Sequence, residues 1–143
     1  MTWVLDASAA LGLVLGDGDE WLSGLVSARL QQEPASVPQH WTLEVNNGLL
    51  MAARRGRLPE SAALRAQQLL LELPIIVDMD TGNRCWATSY ELARRFELTV
   101  YDAAYLELAL RLEAELATAD RSLSRAAKVA GVSVIGQDAP AST

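Results

Sequence analysis

The sequence has few of the residues that form disulfides or bind soft metal ions. Its 143 residues include one cysteine, Cys85, and one histidine, His40. A lone cysteine cannot form an internal disulfide, which is typical of proteins from a reducing cytoplasm. Structural zinc sites are built mainly from several Cys and His ligands, so this composition excludes them. We therefore expect a cytoplasmic protein without disulfides or structural zinc.

Long apolar runs and an excess of basic residues are also absent. The longest apolar run, from Ala9 to Gly16, has eight residues, whereas a membrane-spanning helix needs about 20. The first residues lack a basic segment and are interrupted by Asp6, so we expect no secretory signal. The net charge is −6, which argues against binding of nucleic acid through bulk positive charge. The sequence predicts no membrane association.

What the chain does contain is a regular alternation of short apolar strands with longer helical segments. We predict strands at 2–5, 35–37, 75–77, 116–119 and 132–135. We predict helices at 7–15, 19–32, 39–54, 60–73, 81–95, 102–113 and 120–130, with residues 98–100 extended. This alternation is typical of parallel sheets. It predicts one α/β domain over residues 1–135, a three-layer α/β/α arrangement with a mainly parallel central sheet, and a frayed tail at 136–143.

Two acidic residues come directly after predicted strands. Asp6 follows the first strand, and Asp120 follows the strand before the last long helix. Taken alone, each is well explained as the N-cap of the helix that it precedes. Ligands of open α/β sheets, however, bind beyond the carboxyl ends of the strands. Because both acids lie at such ends, we expect them to face one crevice.

A third acid, Asp102, lies at the start of the predicted helix 102–113. At 100° per residue it points to the apolar side of this helix, whereas Glu107 and Arg111 form the stripe that we expect to face solvent. A carboxylate on an inward face needs backbone amides or a cation as its partner. Asp102 is therefore a candidate for the same crevice.

Glu44 is the most informative acid. It lies with His40 and Asn47 in a polar stripe between two apolar patches of the predicted helix 39–54. A solvated helix face would give the same pattern, and we expect His40 to be a surface or boundary residue. Asn47 is nevertheless a poor helix former, and Gly48 costs about 1 kcal/mol relative to Ala inside a helix. Gly48 therefore indicates close approach of another part of the chain.

Only one stretch of the sequence is rich in basic residues: Arg54, Arg55 and Arg57 at the end of the same helix. Positive charge there interacts favourably with the helix dipole, which explains the stretch without a ligand. Arginine also suits phosphate groups. Both interpretations stay open at this point.

Together these residues resemble the PIN-domain ribonucleases, and most of all the VapC toxins of bacterial toxin–antitoxin pairs. The resemblance extends over about residues 2–135. The stretches that carry it are Asp6-Ala7-Ser8, Glu44 with Asn47, Tyr101-Asp102-Ala103-Ala104-Tyr105, Thr118-Ala119-Asp120, and Arg54 to Pro59.

The resemblance implies a metal-dependent ribonuclease. Carboxylates without His or Cys favour Mg²⁺ or Mn²⁺. The implied metal ligands are Asp6, Glu44, Asp102 and Asp120. Ser8, Asn47 and Thr118 are expected to orient these acids, and Arg54, Arg55 and Arg57 to contact RNA phosphates.

The resemblance also implies an RNA substrate and a small cognate antitoxin protein. Apolar stripes on segments 19–32 and 59–73 favour a homodimer. Two non-catalytic alternatives stay open. One is a Mg²⁺-dependent signalling module similar to phospho-receiver domains, although only Asp6 follows the first strand and Lys128 lies in a predicted helix. The other is an RNA-binding PIN-like module without activity.

Overall fold

A computed structural model describes residues 2–16 and 18–136 of the chain. Its centre is a five-stranded sheet in the order β3-β2-β1-β4-β5, in which every pair of neighbours is parallel. The strands are β1 (Trp3–Leu5), β2 (Ala35–Pro38), β3 (Ile75–Asp78), β4 (Glu115–Ala117) and β5 (Val134–Ile135). The predicted tail lies outside the described residues from position 137 onward.

Helices connect successive strands, as parallel pairing requires. They are α1 (Ala7–Leu15), α2 (Glu20–Gln32), α3 (Trp41–Arg54), α4 (Glu60–Leu71), α5 (Thr81–Arg84), α6 (Tyr90–Phe96), α7 (Val100–Arg111) and α8 (Arg121–Val129). A π-helical segment, Cys85–Ser89, joins α5 to α6. The predicted three-layer α/β/α class is confirmed. Within the described residues, no helix is both long enough and apolar enough to span a membrane.

The central strand β1 shows why the sheet needs two covering layers. Trp3, Val4 and Leu5 have no exposed surface, so both faces of the strand are buried. Its continuous apolar run, rather than an alternating pattern, is what a parallel strand between two helical layers requires. Because β1 lies between β2 and β4, the residues that follow these strands meet at one edge of the sheet.

Helix α7 begins earlier than the sequence predicts. Residues 98–100 were predicted to be extended and Asp102 to open the helix, but α7 starts at Val100. The Thr99 side chain is the N-cap, since its hydroxyl oxygen accepts a hydrogen bond from the Asp102 backbone N–H. Asp102 therefore lies in the first turn, and its carboxylate is not needed as a cap.

The position of α3 depends on Gly48. A Cβ atom at this position would overlap the side chain of Leu11 on α1. The close approach that Gly48 indicated is thus helix packing, and it sets how near α3, which carries Glu44, lies to α1.

Candidate active site

Four elements bring the predicted acids to the carboxyl edge of the sheet. Asp6 follows β1, and Asp120 follows β4 by way of Thr118. Glu44 is in the first turn of α3, and Asp102 is in the first turn of α7. Asp6 and Asp120 are the N-caps of α1 and α8, so the predicted capping role and a place at this edge coexist in both residues.

Asp6 is held by three hydrogen bonds and is only 4% exposed. Its Oδ1 accepts from the Ser8 hydroxyl at 2.7 Å and from the Ala9 backbone N–H at 2.9 Å. Its Oδ2 accepts from the Thr118 hydroxyl at 2.5 Å. Burial raises the pKa of Asp6 to about 6, although these hydrogen bonds act in the opposite direction. The carboxylate is fixed in orientation, and no Lys, Arg or His of the described residues forms an ion pair with it.

Ser8 and Thr118 also join the two loops that carry Asp6 and Asp120. The Ala119 backbone N–H donates to Ser8 Oγ at 2.9 Å, and the Asp120 backbone N–H donates to Thr118 Oγ1 at 3.0 Å. Each hydroxyl thus donates to Asp6 while it accepts from the loop after β4. These contacts tie the two strand-end acids together.

Glu44 is oriented by a tyrosine that was absent from the predicted site. The Tyr105 hydroxyl, on a side chain 1% exposed, donates to Glu44 Oε1 at 2.7 Å. His40 Nε2 lies 3.2 Å from the same oxygen and 3.0 Å from the Tyr101 backbone oxygen. The spacing of Tyr105, three residues after Asp102 on one helix face, was the sequence signal that could have identified it.

Electrostatics couple the four acids. Burial raises the pKa of Asp102, and the carboxylates of Asp120 and Glu44 raise it further. Asp102 in turn contributes to the raised pKa of Asp6. Like charges that face one space oppose each other's ionisation. The edge is therefore a region of concentrated negative charge.

Not every predicted residue joins this group. Asn47 is exposed one turn beyond Glu44, and its side chain forms no hydrogen bond with the described part of the chain. Arg54 lies ten residues beyond Glu44, or about 15 Å along the helix axis. Across residues 2–16 and 18–136, no three acidic, His or Cys side chains stand close enough together to form a ready-made metal site.

A second acidic cluster was not predicted. Glu107 and Arg111 were expected to face solvent, but Glu107 is 4% exposed. Arg111 donates to both oxygens of Glu107 at 2.8 and 2.9 Å and to both oxygens of Asp78 at 3.1 and 2.6 Å. The Arg111 guanidinium lowers the pKa of Asp78. The expectation was wrong because the end of β3 brings Asp78 against α7, which the helical period of α7 alone does not show.

Comparison with known proteins places this geometry in a family. The model of the PIN domain family matches residues 3–129. Ribonuclease VapC9 of Mycobacterium tuberculosis is 36% identical over 123 residues, which cover 85% of this chain and 87% of that protein. Ribonuclease VapC3 of Pyrobaculum aerophilum is 32% identical over 125 residues, which cover 87% of this chain and 93% of the relative.

Solved structures agree with these matches. The crystal structure of PAE2754 from Pyrobaculum aerophilum has a TM-score of 0.64 and 26% identity, with 94% of this chain and 84% of that one covered. Mycobacterium tuberculosis VapC20, described as a sarcin-ricin loop cleaving toxin, shares the fold with a TM-score of 0.57 and 19% identity, with 92% and 96% covered. The chain therefore belongs to the PIN-domain family, among its VapC-like ribonucleases.

Proposed function

We propose that Asp6, Glu44, Asp102 and Asp120 bind Mg²⁺ or Mn²⁺ and that this site hydrolyses RNA phosphodiester bonds. The observation that carries the proposal is the excess of negative charge at this edge. Among the described residues, no Lys or Arg forms an ion pair with any of the four acids, and the basic group beside them is His40, whose Nε2 lies 3.2 Å from Glu44 Oε1. Four carboxylates with so little positive charge beside them are costly unless a cation binds there.

The donor atoms fit a hard divalent cation. The four side chains offer carboxylate oxygens only, which Mg²⁺ and Mn²⁺ prefer over softer ligands. When bound, such a cation activates water and stabilises charge on the oxygens of a phosphodiester undergoing cleavage. Ser8 and Thr118 hold the Asp6 carboxylate in one orientation, and Tyr105 does the same for Glu44. These contacts leave the acids pre-oriented for a ligand, which limits the rearrangement that binding requires.

The catalytic part of the proposal is tested with purified protein and structured RNA. We expect cleavage with Mg²⁺ or Mn²⁺, no cleavage in EDTA, and recovery when the cation is restored. Cleavage that persists in EDTA would refute metal dependence. A chain that binds RNA in the presence of either cation but never cuts it would instead support the non-catalytic alternative.

We also propose that the chain is the toxin of a toxin–antitoxin pair. An antitoxin segment that carries an arginine would match the site acids in the way that Arg111 matches Asp78 and Glu107 within this chain. Expression of the chain alone should arrest growth, and co-expression of the adjacent small reading frame should restore it. Normal growth of cells that contain active, folded chain would refute this role.

The predicted homodimer is a further proposal. Helix α4 carries Leu64, Leu69 and Leu71, whose exposed fractions are 58%, 58% and 84%. A second copy of the chain would bury part of this surface. Sedimentation across a range of protein concentrations should show a dimer, and Leu64→Gln with Leu71→Gln should shift the equilibrium to monomer. A monomer at every concentration would refute the proposal.

A further inference from the structure

A groove begins beside Asp120 and continues away from the four acids. It encloses about 540 Å³ between α8, the end of β5 and the start of α2. Its wall on the α8 side carries Arg121, Arg125 and Lys128, and its lining continues to Thr118 and Asp120 at the site. The groove therefore connects the acidic edge with the most basic helix face in the vicinity.

The three basic residues of α8 share one face of the helix. They are spaced four and three residues apart, so all three side chains lie within about 60° of one another around the axis. All three are exposed. The axial distance from Arg121 to Lys128 is about 10 Å. This row has the length of a short stretch of nucleic-acid backbone.

Acids already neutralise several of the other basic residues. Among the described residues, ion pairs with carboxylates are formed by Arg29, Arg84, Arg94 and Arg111. Within the described residues, no carboxylate lies within ion-pairing distance of Arg121, Arg125 or Lys128. Asp19 also lines the groove, but its carboxylate caps α2 by accepting from the Trp21 and Leu22 N–H groups. The α8 row is available to a ligand with negative charge.

The lining of the groove also includes apolar residues outside α8. These are Leu22, Val134 and Ile135. A ligand that combines charged groups at regular spacing with flat apolar groups would match both kinds of lining residue. A single RNA strand has this character, since its phosphates are charged and its bases and riboses offer apolar surface.

We infer that this groove holds the RNA strand that flanks the cleaved bond, with two or three phosphates on the α8 row and one nucleoside against Leu22, Val134 and Ile135. This inference rests on the proposed function, because it places the scissile phosphate at the acids beside Asp120. It also accounts for RNA binding by a chain of net charge −6. Local positive charge, rather than net charge, meets the phosphates.

The salt dependence of RNA binding tests the inference. Binding is measured by fluorescence anisotropy with a single-stranded RNA, in an Asp6→Asn background so that the RNA stays intact. Each phosphate contact contributes about 0.7 to the slope of log affinity against log salt for single strands. Arg125→Gln with Lys128→Gln should therefore reduce the slope by about 1.4. A fourfold rise in salt would then cost the parent chain about sevenfold more affinity than this variant.

The matched control removes two positive charges elsewhere. Arg65→Gln with Arg95→Gln changes exposed arginines on α4 and α6 that have no ion pair among the described residues. This control should keep the parent slope. Both double variants change the net charge equally, so a difference between their salt slopes depends on where the charges were removed. Melting curves of both variants should match the parent, because the altered side chains are exposed.

A length series adds a second measurement. Extending the RNA stepwise on either side of its cleavage site should raise affinity on one side only, and the gain should vanish in the α8 variant. Equal salt slopes in the two double variants would refute RNA binding in the groove. An equal gain from RNA extension in the parent and the α8 variant would refute it as well. In either case, cleavage by the unaltered chain would still support the proposed function. No cleavage by the unaltered chain would refute the proposed function and this inference with it.

Discussion

The molecule contains two acidic clusters, each with one deeply buried acid, that differ in the positive charge beside them. Asp6, in the site cluster, and Glu107, in the cluster around Arg111, are each 4% exposed. Burial raises the pKa of Asp6 to about 6, whereas the Arg111 guanidinium lowers the pKa of Asp78 beside Glu107. Each cluster thus buries an acid, but only the second has an arginine bonded to its carboxylates among the described residues.

This difference separates a structural role from a functional one. Arg111 ties Asp78 at the end of β3 to Glu107 on α7, so its carboxylates are satisfied within the fold. The site acids accept hydrogen bonds from hydroxyl and backbone donors without positive charge, and the basic group beside them is His40, 3.2 Å from Glu44. Repulsion between carboxylates that the fold itself does not neutralise is typical of positions that bind a ligand. We therefore propose that the first cluster binds a ligand and that the second stabilises the fold.

The largest expected effect is on RNA cleavage, which is compared after an Asp→Asn substitution in one cluster and then in the other. Asp6→Asn keeps an oxygen that caps α1 but removes a proposed metal ligand, and we expect RNA cleavage to fall about 100-fold or more. Asp78→Asn removes the same charge from the other cluster and should keep the cleavage rate. Rates are measured at low temperature, where both variants are folded by circular dichroism. Equal losses of activity would contradict the division of roles.

Removing Arg111 should have the opposite consequence, because it should lower the stability of the fold and leave the proposed metal ligands in place. Arg111→Gln leaves Asp78 and Glu107 without a positive partner, and loss of one partner from a buried pair costs about 3–5 kcal/mol. The partial exposure of Arg111 places the expected loss in the free energy of unfolding near the lower end, about 3 kcal/mol. Urea unfolding measures it. Arg94→Gln, which removes an exposed arginine from its pair with Glu91, is the control and should cause no measurable loss.

Metal binding should stabilise the site cluster only. A cation at 100 times its Kd adds about 2.7 kcal/mol to the free energy of unfolding when only the folded state binds it. We expect this gain for the unaltered chain and for Asp78→Asn, and a much smaller gain for Asp102→Asn. In EDTA the order should invert, with Asp102→Asn melting above the unaltered chain because one repelling charge is gone. Equal Mn²⁺-induced shifts in all three proteins would exclude Asp102 from the site.

A smaller effect should follow when Glu44 keeps its carboxylate but loses the hydrogen bond that orients it. Tyr105→Phe deletes the hydroxyl that donates to Glu44 but keeps the buried ring. Residues that orient a metal ligand typically contribute 10–100-fold to metal affinity or activity, and we expect about tenfold in the Mn²⁺ concentration for half-maximal cleavage. Tyr101→Phe, on a side chain 65% exposed, is the control. An unchanged Mn²⁺ requirement in Tyr105→Phe would show that this hydrogen bond does not serve the site.

The smallest expected effect is a difference in acid stability. Because the folded-state pKa of Asp78 is lowered, this carboxylate stabilises the fold above the ordinary Asp pKa of about 3.9. That contribution is lost as pH falls through the lowered pKa. The unfolding free energy of the unaltered chain should therefore fall more steeply below about pH 4 than that of Asp78→Asn. Parallel pH profiles from urea titrations would contradict a role for Arg111 in holding this charge.

Much of the site could be predicted from local sequence. Asp6 and Asp120 come directly after apolar strands, and parallel strands end at one edge, so their convergence followed from the strand pattern. Asp102 and Glu44 were identified from helical period and from the resemblance of the surrounding residues to a known family. The fold class followed in the same way, because short apolar strands between amphipathic helices have few stable packings.

Contacts between elements that are distant in sequence were not predictable in this way. The Arg111 cluster depends on Asp78, 33 residues earlier, and Glu44 meets Tyr105 across 61 residues. A helical period shows which side chains share a face, but it does not show what that face meets. For Glu107 the assumption that it meets solvent was wrong.

The sequence by itself thus determined the fold class and the order of the strand-end acids, because both depend on period and adjacency along the chain. Only the tertiary structure decided which acids have a cation. It pairs Arg111 with Asp78 and Glu107, gives Asp6 only hydroxyl and backbone N–H donors, and sets the basic face of α8 beside the site acids. The physical reason is that a carboxylate's pKa and its need for a ligand depend on charges within a few ångströms in space, wherever these occur in the chain.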